Sequence, residues 1–521
     1  MNDTTSTEEP TTKNAGVWRS LWRTHFYAGM IVGPFMIWMA LSGLGILYSQ
    51  PIQSLLHGGS NQVAIVNSRA TLENQVSNAM HRFPKDSFAY ITPGATATEA
   101  TTVGLTEPNG ETRIVWTNPY TGVVTGTMFS GKDLPGFLNR FHGSILPREW
   151  TMPVPNVAWL FDEGPAWNHV EIGEVLVEIL AGWGLMLAVS GLYLWWPRRG
   201  SPVRWLPSKS RTGRRRWRDL HTFAGIFLAG FLTFSVTTGL PWAAFWGTSW
   251  QTAASHITPN KANFWSDSSP SSTSPRLGDM TRFGNPVAWA MQDDQPAPSG
   301  SPMPNMPGMN HGDKGSSVMS SAGLPARILS LDGVQSAMLQ DGMLPNATIY
   351  PPTNAVEDGE TTYGSYLVFN PWPSSVGQQG AMYFDEFTGK KLGESTAKEW
   401  GSLQFVTEFG VQTHMGTEFG LASRLFMTFG CLLVIWNFST ALMMWNRRRR
   451  GGLGIPRRPS APRIAKPFGI ALIALALLYP LWGASVLLLL VFDRLAIQRS
   501  DKLRRAFGMP PSSTSSGCGD S

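Results

Sequence analysis

The stretch WRDLHTFAGIFLAGFLTFSVTTGL, residues 217–240, decides how the chain is read. Arginines precede it, and one histidine stands at its threshold. Some twenty apolar or small residues then follow with no charge. At about 1.5 Å of rise per residue, such a run crosses a hydrocarbon core of about 30 Å. It therefore reads as a membrane-spanning helix. Comparable runs cover roughly Phe26–Tyr48, Glu174–Trp196 and Phe419–Trp445, with this one as the third of four. The 22 tryptophans suit a membrane protein, because Trp favours the interfacial belts.

The net charge of +6 is informative through its placement. Arg19 and Arg23 precede the first span, Arg198 and Arg199 follow the second, Arg214–Arg216 precede the third, and Arg447–Arg450 follow the fourth. This is the positive-inside pattern, so the basic clusters mark topology and not a nucleic-acid site. It puts the N-terminus in the cytoplasm and two long segments outside. The 2 cysteines, Cys431 and Cys518, are too few for an iron–sulfur cluster, which takes about four thiolates.

The expected organisation follows from these marks. Residues 1–15 are a disordered start, 16–49 span 1, 50–141 a first external domain, and 142–197 an outer loop with span 2. A basic loop at 198–218 leads to span 3 at 219–247. Residues 248–322 form an external linker with a Met-rich disordered insertion, 323–400 a second external domain, and 401–446 an outer histidine segment with span 4. Another basic loop occupies 447–467, an apolar run 468–494, and a tail 495–521. Basic residues flank that last run on both sides, and Pro480 interrupts it, so a hairpin returning to the cytoplasm is preferred over a single kinked span. The fold class is a polytopic helical membrane protein with α+β domains between spans. In each external segment a helical stretch (Thr71–Arg82, Ser330–Gln340) precedes a β-hairpin.

The chain is also duplicated. LWRTHFYAG and LSGL around span 1 match RWRDLHTFAG and TTGL around span 3. SGLYLWWPRR, closing span 2, matches STALMMWNRRR, closing span 4. The external turns PYTGVVTG (119–126) and EFTGKKLG (386–393) share an aromatic-Thr-Gly and a later Gly. One unit of span, external domain and span therefore occurs twice in the same orientation.

Duplication makes the nine histidines informative. His25 and His221 stand at matching cytoplasmic span starts, and His142 and His414 at matching places on the outer side. Two imidazoles on facing helices are the axial ligand set of a six-coordinate haem iron. Gly29 and Gly225, one turn beyond, would leave room for a flat porphyrin. A snorkelling or capping histidine is the plain alternative for each residue singly, and duplication copies structural histidines as well. Two histidines are a thin set for zinc. His169 rivals His142 but has no repeat partner. Arg23, Arg140, Arg218 and Arg424 could face haem propionates, although topology alone explains them.

The paired His-x-x-x-Gly span starts, SGLYLWWPRR and the aromatic-Thr-Gly hairpins resemble the PepSY-associated transmembrane family, the iron-regulated membrane proteins of bacteria, over about Val17–Arg505. The resemblance implies inner-membrane location and PepSY domains on the periplasmic or extracellular side. For members that reduce ferric siderophores, it implies b haems, with His25 and His221 inside and His142 and His414 outside. The expected function is a di-haem transmembrane metalloreductase acting on an external ferric-siderophore or copper complex. No dinucleotide fingerprint is present, so the electron donor is a separate protein or a quinol. The alternative is a membrane regulator of an external peptidase, without redox activity. Two features depart from the family pattern. One is the long segment PREWTMPVPNVAWLFDEGPAWNH (147–169). The other is PMPNMPGMNHGD (302–313), where Met303, Met306, Met309 and His311 form a set that would select copper(I).

Overall fold

The computed structural model describes residues 12–57, 59–162, 164–196, 212–260, 329–353, 355–357, 360–362, 364–370, 373–385, 389–448 and 466–506. Residues 1–11 of the expected disordered start and the Met-rich segment lie outside these residues, whereas residues 12–15, expected to be disordered, already belong to the first helix. The chain divides into two compact units, Met1–Leu44 with Phe141–Ser249 and Met427–Ser521, and Gly45–Arg140 with Trp250–Phe426.

The first unit is helical. Its long helices are α1 (Thr12–Leu47), α5 (Ile172–Trp195), α6 (Gly213–Gly239) and α10 (Leu421–Arg448); α1 and α10 each run a few residues past its limits. Among the described residues, five helices are long and apolar enough to cross a membrane: these four and Pro480–Ile497. Small residues let them approach. Gly182 lies so close to Trp482 that a methyl group there would meet the Trp482 Cβ at 2.6 Å, and Gly33 faces the Phe438 ring. Leu432, Trp436 and Leu487–Leu490 remain exposed, as lipid-facing side chains do.

The last apolar run consists of α11 (Lys466–Leu478) and α12 (Pro480–Phe492), ending in a π-turn at Asp493–Ile497 and α13 (Asp501–Ala506). The chain reverses between them. Phe468 lies beside Tyr193 near the end of α5, with ring centroids 6.0 Å apart. Thirteen residues later Leu481 packs with Val175 and Ile179, near the start of α5. Trp482 then meets Trp183 at 5.7 Å, and Ser485 accepts a hydrogen bond from Trp183 Nε1, so α12 runs back along α5. Pro480 has no N–H to continue the first arm, and Trp246 Nε1 donates to the Leu478 carbonyl at the break.

The second unit carries the strands. Helix α2 (Ser49–Leu56) leads to α3 (Leu72–Arg82), then β1 (Ser87–Thr92), β2 (Thr101–Thr106), β3 (Thr112–Thr117), β4 (Val124–Phe129) and α4 (Leu134–Gly143), whose last residues belong to the first unit. The hairpin β5 (Thr151–Pro155) and β6 (Trp167–Glu171) also belongs to the first unit. Helix α7 (Trp246–Ile257) brings the chain back to the second, where α8 (Leu331–Gln340), β7 (Thr348–Tyr350), β8 (Ala355–Glu357), β9 (Glu360–Thr362), β10 (Ser365–Asn370), β11 (Gly380–Asp385), β12 (Lys391–Thr396) and α9 (Ser402–His414) follow.

The two segments between spans each form an α+β half, but they do not form separate sheets. Eight antiparallel strands run in the order β12-β11-β10-β7-β1-β2-β3-β4. The halves join where Ile91 of β1 pairs with Ile349 of β7. One apolar core underlies the join and draws Val76, Val103 and Val115 from the first half, and Val334, Val368 and Phe384 from the second. On the opposite face Tyr90, Phe369, Tyr383 and Trp400 cluster with Ala254 of α7 and Leu403 of α9. The repeat-matched turns need glycine: Gly122 and Gly389 adopt φ of 72° and 67°.

Helices α3 and α8 begin with equivalent tripeptides, Thr71-Leu72-Glu73 and Ser330-Leu331-Asp332. Thr71 accepts from the Asn74 N–H and Ser330 from the Gly333 N–H, both as N-caps. Each helix start is then bonded by an acid of the other. Asp332 accepts from the Leu72 N–H at 3.1 Å, and Glu73 from the Asp332 N–H at 3.3 Å. Burial at this junction, then the hydrogen bond shared with Asp332, pushes the Glu73 carboxyl up from 4.5 to about 7. A raised folded-state pKa makes the folded state the better proton binder. This contribution is complete below pH 4.5 and is lost as pH rises through about 7. Glu73→Gln, neutral throughout, should flatten that dependence. The gain at pH 8 is on the order of 1 kcal/mol, well below full linkage because the group is partly exposed. Thermal unfolding of the detergent-solubilised chain at pH 5 and pH 8 reads this directly. Parallel losses in wild type and variant would place the pH dependence elsewhere.

Candidate functional site

His25 of α1 and His221 of α6 meet inside the helical unit. Their ring centroids are 6.5 Å apart and their planes are nearly perpendicular, at 84°. Each Nδ1 is held by a returning helix. His25 Nδ1 lies 2.8 Å from Ser190 Oγ on α5. His221 Nδ1 lies 3.0 Å from the Asn437 carbonyl and 3.2 Å from Thr440 Oγ1 on α10.

These partners set the tautomers. A carbonyl only accepts, so His221 Nδ1 carries the proton. Thr440 gives its own hydroxyl proton to the Asn437 carbonyl, and so meets the ring with a lone pair. Ser190 likewise donates to the Leu187 carbonyl at 3.1 Å, leaving a lone pair for His25 Nδ1–H. Both rings therefore keep Nε2 as a free base, the form that ligates metal. Bonding of the distal ring nitrogen also fixes ring orientation and raises ligand basicity.

The spacing suits a shared axial metal. Two metal–nitrogen bonds of about 2 Å and two ring radii of about 1 Å sum to about 6 Å between centroids. Two histidines do not complete a zinc site, and no group of three or more His, Cys, Asp or Glu occurs among the described residues. A planar macrocycle that brings four nitrogens of its own needs only two axial ligands from the protein. The residues thus fit a haem. Gly29 and Gly225 pack closely on the returning helices: a Cβ would meet the Leu187 side chain at 3.9 Å and the Asn437 side chain at 3.5 Å, ordinary contact distances. Around the site the Arg448 guanidinium lies over Trp22 and Phe26, at 4.6 Å and 5.6 Å from the ring centroids, and Arg218 is 3.4 Å from Asp219.

His142, near the end of α4, repeats the device in the helical unit. Its Nδ1 is 3.0 Å from Ser42 Oγ, and Ser42 donates to the Trp38 carbonyl at 2.9 Å. Gly43 lets this ring in, since a methyl group there would lie 3.3 Å from His142 Cε1. Thr238, the repeat counterpart of Ser42, donates to the Phe234 carbonyl in the same way. His414 closes α9 in the sheet unit and is half-buried there. His169 is exposed on β6, opposite Pro153. Met303, Met306, Met309 and His311 lie outside the described residues.

Ser190, Asn437 and Thr440 were not singled out by sequence. The signal was present in part, because Ser190 and Thr440 sit in the matched span endings SGLYLWW and STALMMW. Sequence alignment sets Ser190 against Ser439, whereas the hydroxyl that meets His221 is one residue on.

Apolar spans, two α+β halves and a duplicated order of elements define a multi-pass membrane protein with a sheet domain built from the segments between spans. Within that class, the description of the PepSY-associated TM region matches residues 22–448, and the chain belongs to that family. Comparison with curated proteins found no match.

Proposed function

We propose that this protein carries electrons across a bacterial inner membrane to an external metal complex and holds two b haems for the purpose. The observation that carries the reading is the His25–His221 pair, with its 6.5 Å spacing and both Nδ1 atoms engaged. A haem bound there supplies one-electron chemistry. The chain's own work is to present two neutral Nε2 atoms, to fix their tautomers through Ser190, Asn437 and Thr440, and to keep water away with buried Leu187, Ala28 and Ala224.

The repeat extends the reading to His142 and His414 as ligands of the second haem, on sequence grounds and on the Ser42–His142 bond. In this reading the basic span ends and the first site face the cytoplasm. The acceptor in this reading is a ferric siderophore. A copper complex met by Met303, Met306, Met309 and His311 is the variant of it. The donor is a quinol or a cytoplasmic reductase.

The test is a reduced-minus-oxidised absorption spectrum of the detergent-purified protein, with a pyridine haemochrome assay. A b-type spectrum with two haems per chain is expected. A chain purified without haem from haem-replete cells would overturn the reading and favour a membrane regulator of an external peptidase.

A further inference from the structure

The segment between His142 and α5 has no task in electron transfer, yet it is folded in detail. β5 and β6 pair over five positions, from Thr151 opposite Glu171 to Pro155 opposite Trp167. The loop joining them is fixed from within. Asn156 accepts from the Ala158 N–H at 3.0 Å and donates to the Pro165 carbonyl at 3.3 Å. Its backbone N–H bonds the Ala166 carbonyl, and Asp162 ends the turn with φ 59°.

This fixed loop turns its apolar side chains outward. Ala158 is 3% exposed, while Trp159, Leu160 and Phe161 are 52%, 58% and 42% exposed. Burying large apolar side chains is favourable in proportion to their area, and this loop forgoes most of that gain in water. A rigid loop that holds three large apolar groups outward is built to be covered.

The hairpin's base shows what covers it. Val154 is buried with Val175 and Ala244, and Met152 and Val170 pack with Ile179, Phe245 and Leu481. Val175 and Ile179 lie at the start of α5 and Leu481 at the start of α12, and Ala244 and Phe245 closely follow the end of α6. The hairpin is thus held against the spans. Leu176 of α5 and Trp242 are exposed at the same end, and so are Trp150 and Trp167 of the hairpin. Tryptophans grouped at one end of a set of spans form the belt typical of the lipid–water interface. Pro153 and Pro155 remove ladder donors from β5, which makes it a poor edge for a partner strand.

We propose that residues 156–162 form an interfacial anchor. It seats Trp159, Leu160 and Phe161 in the head-group layer of the leaflet where α5 begins. Asp162 beside them limits the depth to the head groups, since a charge is costly in hydrocarbon. The anchor steadies the chain on both sides of the hairpin, including Ser144–Leu146, whose backbone packs against Gly173 at the start of α5. That segment directly follows His142.

The experiment uses the full chain with Cys518→Ser, reconstituted in phosphatidylcholine nanodiscs, with a nitroxide placed at Leu160→Cys or Trp159→Cys. The parent without an added cysteine is subtracted for any label on buried Cys431. Collision rates with oxygen and with Ni-EDDA are compared with those at Leu488→Cys on α12 and Asn109→Cys in the β2–β3 turn. At both loop positions the oxygen-to-Ni-EDDA ratio should lie well above that at Asn109 and below that at Leu488, as for a head-group depth. Ni-EDDA rates equal to those at Asn109 would overturn the anchor, and would mean that the loop meets water or another protein. Neither outcome depends on haem content, so the result stands apart from the electron-transfer reading.

Discussion

On the proposed reading, His25→Ala and His221→Ala should each cost the purified protein one of two haems, and the double variant should cost no more than either alone. The two rings would act as one unit, because both would hold the same haem. Effects within such a unit do not add. His142→Ala should remove the other haem, so His25→Ala with His142→Ala leaves none. The supporting hydroxyls rank lower. Ser190→Ala and Thr440→Val keep the ligands but release their rings, which for ligand-orienting groups costs about 10- to 100-fold in affinity. Titration of haem into apoprotein reads both effects, and an unchanged circular dichroism spectrum guards against misfolding. Full haem content in His25→Ala would remove the pair from the ligand set.

Ile349→Ala should destabilise both halves of the sheet together. Ile349 and its partner Ile91 are fully buried where the strands of the two halves pair. Truncating such a side chain costs about 2–5 kcal/mol. Its core contains side chains from both repeats, so the loss cannot stay in one half. In hydrogen exchange of the solubilised chain, β2 and β3 should lose protection alongside β10 and β11. Loss confined to β10–β12 would mean that the halves fold independently.

The way the halves join was beyond the sequence. Alternating apolar residues and turn signals predicted the β3–β4 and β11–β12 hairpins and the helices before each sheet half. These are local patterns, and local backbone geometry enforces them. The same patterns suggested two separate domains. Nothing in TIY at 348–350 says that its neighbour is β1, because alternation assigns a strand's faces and not its partner across 250 or so residues. The reciprocal capping of α3 and α8 was hidden for the same reason. Thr71 and Ser330 are visible as N-caps, but the acid that reaches across comes from the other repeat.

By itself the sequence determined the spans, the duplication and the matched positions of the histidines. Twenty uncharged apolar residues have few other destinations, and a repeat is visible without folding anything. Only the tertiary structure decided that His25 faces His221, that Ser190, Asn437 and Thr440 hold the Nδ1 atoms, and that the last apolar run turns back at Tyr479–Pro480. Hydroxyls in spanning helices routinely bond their own preceding turn, as Ser42, Thr238 and Thr440 all do. Which of them also keeps a lone pair for a histidine depends on how the helices pack, and that information lies in the contact between spans.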